Sequence, residues 1–206
     1  MEPNKLYLYP KWLRAWHGVN AICIIMLIAT GISMQYSDPN YPFIPFGTAI
    51  LLHNIFGIIA VISYTLFLLG NLFTSNGKQY IIRTKGLVKR LVKQSQYYLT
   101  GYFKDEPKPF PISKERKFNP LQSVAYTSAM YVLMPIVIIT GIALLFPEFI
   151  ISEVLNTSGI LLTAILHASA GFFISLFLII HLYVASVGKH PLRNYKSMID
   201  GYHETH

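Results

Sequence analysis

Four long apolar runs, separated by polar segments, organise the chain at about residues 15–34, 47–73, 121–146 and 159–187. A helix of about 20 apolar residues spans a hydrocarbon core of about 30 Å, so each run is long enough to cross a membrane. The segments between them differ in kind. Residues 1–14 form a short polar arm, and Tyr7, Tyr9, Trp12 and, just beyond the arm, Trp16 stand at the level of an interfacial aromatic belt. Residues 35–46 contain Pro39, Pro42 and Pro45, which bar a helix. Residues 74–120 form the longest polar stretch. Within it Leu87, Val88, Leu91, Val92, Tyr98 and Leu99 recur at helical spacing, with Lys89, Arg90, Lys93 and Gln94 on the other side. That pattern predicts an amphipathic helix on the membrane surface. Residues 105–111 read as an extended breaker. Pro135 predicts a kink in the third run.

The distribution of charge orients these spans. Lys5, Lys11 and Arg14 precede the first run, eleven basic residues lie from Lys78 to Lys117, and Lys189, Arg193 and Lys196 follow the fourth. These account for all 17 Lys and Arg residues, and every one lies in alternate loops. This is the positive-inside pattern, and it predicts that both termini are cytoplasmic. The net charge of +8 therefore reports orientation and contact with anionic lipid rather than nucleic-acid binding. Charged residues make up only 13% of a chain with mean hydropathy +0.44, which excludes an ordinary soluble domain. One domain over residues 1–206 is expected: an all-α, four-helix membrane bundle. The single cysteine, Cys23, lies within the first run, so no internal disulfide or cysteine-ligated cluster is available; an inert filler is expected. The first run lacks a small-residue cleavage site and is expected to be retained.

Histidines break the apolar pattern. His17, His53, His167 and His181 lie in the first, second and fourth runs, and the third contains none. His167 and His181 are fourteen residues apart. That spacing gives about 21 Å of helical rise and nearly four turns, so both rings leave one face. Topology then sets depth. His17 and His181 lie near the cytoplasmic ends of their helices, while His53 and His167 lie near the outer ends. The rings sort by height into His17 with His181 and His53 with His167. Two neutral imidazoles at one height on different helices suit the axial positions of a b-type haem. Small residues stand one turn beyond each ligand, at Ala21, Gly57, Gly171 and Ala185, where a haem needs clearance. Interhelical hydrogen bonding, a proton relay or a bare transition-metal site are the other uses of such histidines. The fourth run, however, has no Asp, Glu or Lys to continue a relay. His190, His203 and His206 in the tail are expected to be exposed or interfacial.

Further motifs carry a family resemblance. They are Arg14-x-x-His17 with Thr30-Gly31, His53-x-x-x-Gly57, Lys117-Phe118-Asn119-Pro120-Leu121-Gln122, Thr140-Gly141, His167 and His181 at their spacing, and Met198-Ile199-Asp200-Gly201. Over nearly its whole length the chain resembles bacterial di-haem cytochrome b subunits of membrane-bound oxidoreductases. These include the gamma subunit of formate dehydrogenase, the cytochrome b subunit of thiosulfate reductase and, more distantly, that of nickel–iron hydrogenase. The resemblance implies ligation of two haems b by the two pairs. It also implies a menaquinone or ubiquinone site near the inner haem, at Asn119 and Gln122. Lys117 could supply charge or protons there. Asn119 ahead of Pro120 is equally a favoured helix cap, and Pro120-Leu121 is closer to the thiosulfate-reductase branch than to formate dehydrogenase. Arg14 is a candidate contact for a haem propionate or a simple inside-positive anchor.

These observations lead to the expectation of a membrane anchor and electron-transfer subunit in a bacterial inner membrane. It would not act on a soluble substrate. It would connect the quinone pool with an outer-face (periplasmic) oxidoreductase partner, an iron–sulfur or multihaem subunit. The alternatives are a histidine-based proton or ion transporter and a cofactor-free anchor.

Overall fold

A computed structural model describes residues 4–186 and 192–205. Its four long helices are α1 (Lys11–Tyr36), α2 (Phe46–Phe73), α4 (Pro120–Leu145) and α5 (Gly159–Ser186), each long and apolar enough to cross a membrane. Two short helices, α3 (Leu87–Gln96) and α6 (Arg193–Asp200), lie with the basic segments. The fold is thus an all-α four-span bundle. The first helix starts four residues earlier than the apolar run. Pro10 sits at its N-cap and takes the carbonyl-acceptor role for Leu13 and Arg14, so Lys11 to Arg14 are helical rather than part of the arm.

α1 packs along α2, and α4 along α5, as two hairpins, while contacts between the hairpins are sparse. The hairpins meet at one buried cluster, Tyr64, Phe67, Met130, Met134 and Ile174, with Trp16 stacked on Phe67 at a ring separation of 4.4 Å. Most other apolar side chains on the spans remain exposed, as lipid-facing surfaces must. Cys23 is a buried free thiol, in keeping with its expected role as filler.

The third span answers its proline with a π-type turn at Ala129–Leu133 rather than a simple kink. The Met134 amide bonds back to the Ala129 carbonyl, and Pro135 has no N–H to offer. The Met130 carbonyl is thereby left without a partner in its own helix. Tyr64 of α2 fills the gap, its hydroxyl donating to Met130 O at 2.7 Å. A buried carbonyl would otherwise carry an unpaid desolvation cost of about 1–3 kcal/mol.

On the basic side, β1 (Asn4–Tyr7) pairs antiparallel with β4 (Tyr202–Thr205), joining the two ends of the chain on one face. This pairing corrects the reading of the tail: His203 is buried, at 8% exposure. His190 and His206 lie outside the described residues. The long loop also departs from expectation. α3 turns Leu87, Leu91, Gln94 and Tyr98 inward against α4, and Gln94 is buried rather than solvent-facing. A second apolar stripe, Val88, Val92 and Leu99, is exposed. On the opposite side, Ser33 Oγ donates to Ile44 O and accepts from Ile44 N, closing the proline-rich loop. A small hairpin of β2 (Glu153–Val154) and β3 (Thr157–Ser158) precedes α5. The sequence pattern does not predict it.

Candidate functional site

Each histidine ring is held at a helix position that the apolar spans impose. His53 lies about two turns inside α2 and His167 about two turns inside α5, both from the proline-loop and hairpin side. His17 and His181 lie near the basic ends of α1 and α5. The structure brings these rings together in the two expected pairs. The ring centres of His53 and His167 are 6.1 Å apart, and those of His17 and His181 are 6.2 Å apart.

These separations have chemical meaning. A metal–imidazole nitrogen bond is about 2.0–2.1 Å, so one metal ion held between two such rings would place their centres about 6.3 Å apart. Rings joined nitrogen to nitrogen by a hydrogen bond would be closer, about 5 Å. Both pairs match the first arrangement. Among the described residues no group of three or more His, Cys, Asp or Glu side chains gathers around either pair. Two protein ligands alone leave a bare ion far from its usual four. A macrocycle that brings its own nitrogen donors would complete the donor set.

The surroundings fit such a group. An ideal Cβ on Gly57 or Gly171 would meet nothing within 4 Å, so open space stands beside the outer pair. Ala21 and Ala185 line a cavity of about 440 Å³ that also contains His17 and His181. The Asn20 Oδ1 atom in that lining is buried and has no hydrogen-bond partner among the described residues. All four rings are half-buried.

Residues 8–201 match the sequence profile described as prokaryotic cytochrome b561. The chain belongs to that family. It is also 36% identical over 201 residues to YdhU of Escherichia coli (strain K12), which its name classes among cytochromes; the match covers 97% of this chain and 75% of that one. As a prokaryotic cytochrome b561 with four spanning helices, the protein is a multi-pass b-type cytochrome of the bacterial inner membrane that binds haem b and serves electron transfer.

The cavity of this cytochrome extends to the basic side. There it is lined by Tyr98, Asn119, Gln122, Lys117, His203 and other polar residues. Asn119 and Gln122 form a reciprocal cap on α4. Asn119 Oδ1 accepts from the Gln122 amide at 2.9 Å, and Gln122 Oε1 accepts from the Asn119 amide at 3.1 Å. Asn119 Nδ2 donates to the Tyr98 hydroxyl at 2.8 Å. The cap is therefore formed, and it directs the Asn119 side chain to protein partners. Lys117 Nζ donates to Asn76 Oδ1 at 2.9 Å, and Asn76 continues to Asn71 and Tyr131. Burial lowers the Lys117 pKa below the usual ammonium range. A second cleft of about 410 Å³, lined by Thr74, Gln79 and Lys114 among others, shares Lys117 with the cavity. Arg14 is not in the cavity lining; its guanidinium donates to the Ile199 carbonyl and ties α1 to α6.

Sequence reasoning missed three contributors. Thr30 Oγ1 lies 2.9 Å from His53 Nδ1, and Thr140 Oγ1 lies 3.0 Å from His167 Nδ1. The Tyr126 hydroxyl lies 3.2 Å from His181 Nδ1. The available signal was a Thr-Gly pair in each of the spans that precede the outer ligands, Thr30-Gly31 and Thr140-Gly141, while a third such pair, Thr100-Gly101, lies in the long loop.

Proposed function

We propose that the chain conducts electrons through two b-type haems, one held by His53 and His167 near the outer face and one by His17 and His181 near the cytoplasmic face. It joins an outer-face oxidoreductase partner, an iron–sulfur or multihaem subunit, to the membrane quinone pool. The observation that carries this reading is the repeated ring separation, 6.1 and 6.2 Å, in two pairs that no third His, Cys, Asp or Glu joins among the described residues. The haems, when bound, supply one-electron redox chemistry.

The protein's part is to hold, separate and insulate. His167 and His181 on one helix set the two levels about 21 Å of rise apart. Gly57, Gly171, Ala21 and Ala185 leave room beside the ligands. The apolar spans exclude water from both levels. The positive-inside charge supports the assignment of the His17–His181 level to the cytoplasmic side.

Menaquinone or ubiquinone is the proposed partner of the cavity's polar end. Asn119 has its oxygen and nitrogen engaged, so its contribution is to hold Gln122 and Tyr98 at the cavity wall. Gln122 Nε2 is the amide donor left to meet a quinone carbonyl. Lys117 stands between the cavity and the second cleft, which supports a role in moving protons between quinone and cytoplasm.

Rapid mixing of oxidised membranes with a quinol tests this site. Gln122→Ala and Lys117→Gln are expected to slow haem reduction by quinol about tenfold, the effect of losing about 1.4 kcal/mol of interaction. Reduction by dithionite should reach the same spectrum as in the wild type. Equal quinol rates in all three proteins would reject the quinone assignment.

A further inference from the structure

The two outer histidines are gripped by the same device, used once in each helical hairpin. Thr30 of α1 meets His53 of α2, and Thr140 of α4 meets His167 of α5. Both threonines are buried, at 0% and 6% exposure. Each hydroxyl also faces a carbonyl of its own helix: Thr30 Oγ1 is 2.7 Å from Met26 O, and Thr140 Oγ1 is 2.6 Å from Ile136 O. A carbonyl only accepts, so the single hydroxyl proton goes to it. The oxygen facing the ring is then an acceptor, and Nδ1 must carry the proton that it accepts. A neutral imidazole carries one N–H, so Nε2 is left as a bare lone pair.

We propose that Thr30 and Thr140 are positioning residues that fix the tautomer and direction of His53 and His167, so that both rings present Nε2 to a shared metal. This rests on the reading that the pair holds a haem. The glycine after Thr140 belongs to the device, because a Cβ there would press on the ring. A Cβ at Gly31 would stand 3.7 Å from His53 Cε1, and one at Gly141 would stand 3.1 Å from His167 Cε1. The inner pair is held differently. His181 Nδ1 meets the Tyr126 phenol, and among the described residues no carbonyl fixes that hydroxyl's proton. A phenol both donates and accepts, so it does not select a tautomer in the same way. The outer level is therefore the more rigidly prepared of the two.

An Nδ1–H that donates to an oxygen makes the imidazole a stronger electron donor to the metal and favours the oxidised state. Thr30→Val and Thr140→Val keep the shape and remove the acceptor, while Thr30→Ser and Thr140→Ser keep the hydroxyl. The whole protein in its membrane is titrated potentiometrically, with haem per chain and the ferric electron paramagnetic resonance spectrum recorded. In each valine variant one haem is expected to move to higher potential with an altered ferric signal, or to be retained about 10–100-fold more weakly. The other haem should be unchanged, and the serine variants should behave as wild type. Full haem with unmoved potential and signal in both valine variants would overturn the proposal. So would loss of haem that serine does not rescue, because packing rather than the hydroxyl would then be responsible. A wild-type protein without two haems would instead defeat the underlying reading.

Discussion

Leucine at Gly57 or Gly171 separates space that belongs to a cofactor from space that is merely empty. A Cβ at either position meets no protein atom within 4 Å. The polypeptide therefore offers a leucine nothing to strike. Within a helix, exchanging glycine for leucine favours the helical state by roughly 0.7 kcal/mol. The apoprotein should consequently fold at least as well as the wild type. A haem on the neighbouring ligand, one turn away, would collide with the new side chain. Overpacking of this kind costs about 1–3 kcal/mol, which corresponds to roughly 5–150-fold weaker haem retention. Reduced-minus-oxidised absorption per mole of protein measures the loss, with circular dichroism and gel filtration to establish that the fold is intact. Gly18→Leu is the control. Its Cβ also meets nothing within 4 Å, but it lies exposed, and haem should be retained. Full haem content in well-folded Gly57→Leu and Gly171→Leu would refute the assignment of that space.

Two further substitutions probe the supports of the site. Gly141→Ala would bring a methyl to 3.1 Å from His167 Cε1, whereas Gly31→Ala would stand at an ordinary 3.7 Å from His53 Cε1. Ordinary carbon contacts begin near 3.5 Å, so Gly141→Ala should perturb the outer haem spectrum and Gly31→Ala should not; the reverse order in visible or paramagnetic resonance spectra would contradict the geometry. Tyr64→Phe leaves the Met130 carbonyl without its donor and is expected to cost about 1–3 kcal/mol. In detergent the melting midpoint should fall by several degrees, since about 2–4 °C accompanies each kcal/mol in a chain of this size. An unchanged midpoint would show that another group satisfies that carbonyl.

Much of the architecture was legible because a membrane imposes long apolar runs and sorts basic residues to one side. The spans came out within four residues of their helices, and the pairing of histidines by height was recovered as contact between rings. What was not legible depended on helix rotation and on contacts distant in sequence. Thr30 and Thr140 were visible only as repeated dipeptides, because nothing in one helix states which ring of the next it will meet. His203 looked like a solvent-facing tail residue, since a strand formed with the opposite end of the chain leaves no local pattern. Gln94 was assigned to the wet side of α3 from its polarity. The segment instead carries two apolar stripes, one against α4 and one exposed, and Gln94 falls on the first. Asn119 carried two compatible readings, and the reciprocal bonds with Gln122 make the capping role explicit. Pro135 announced a distortion without its form, which the shortage of an N–H for Met130 explains.

The central claim is that each pair of histidines holds its own haem, and pairwise removal tests it most directly. Haem per chain is measured by the pyridine haemochrome absorbance for the wild type, for His53→Ala with His167→Ala, and for His17→Ala with His181→Ala. The account predicts two haems in the wild type and one in each double variant, with the two surviving haems differing in midpoint potential. One haem in the wild type, or the same single haem surviving in both double variants, would contradict it.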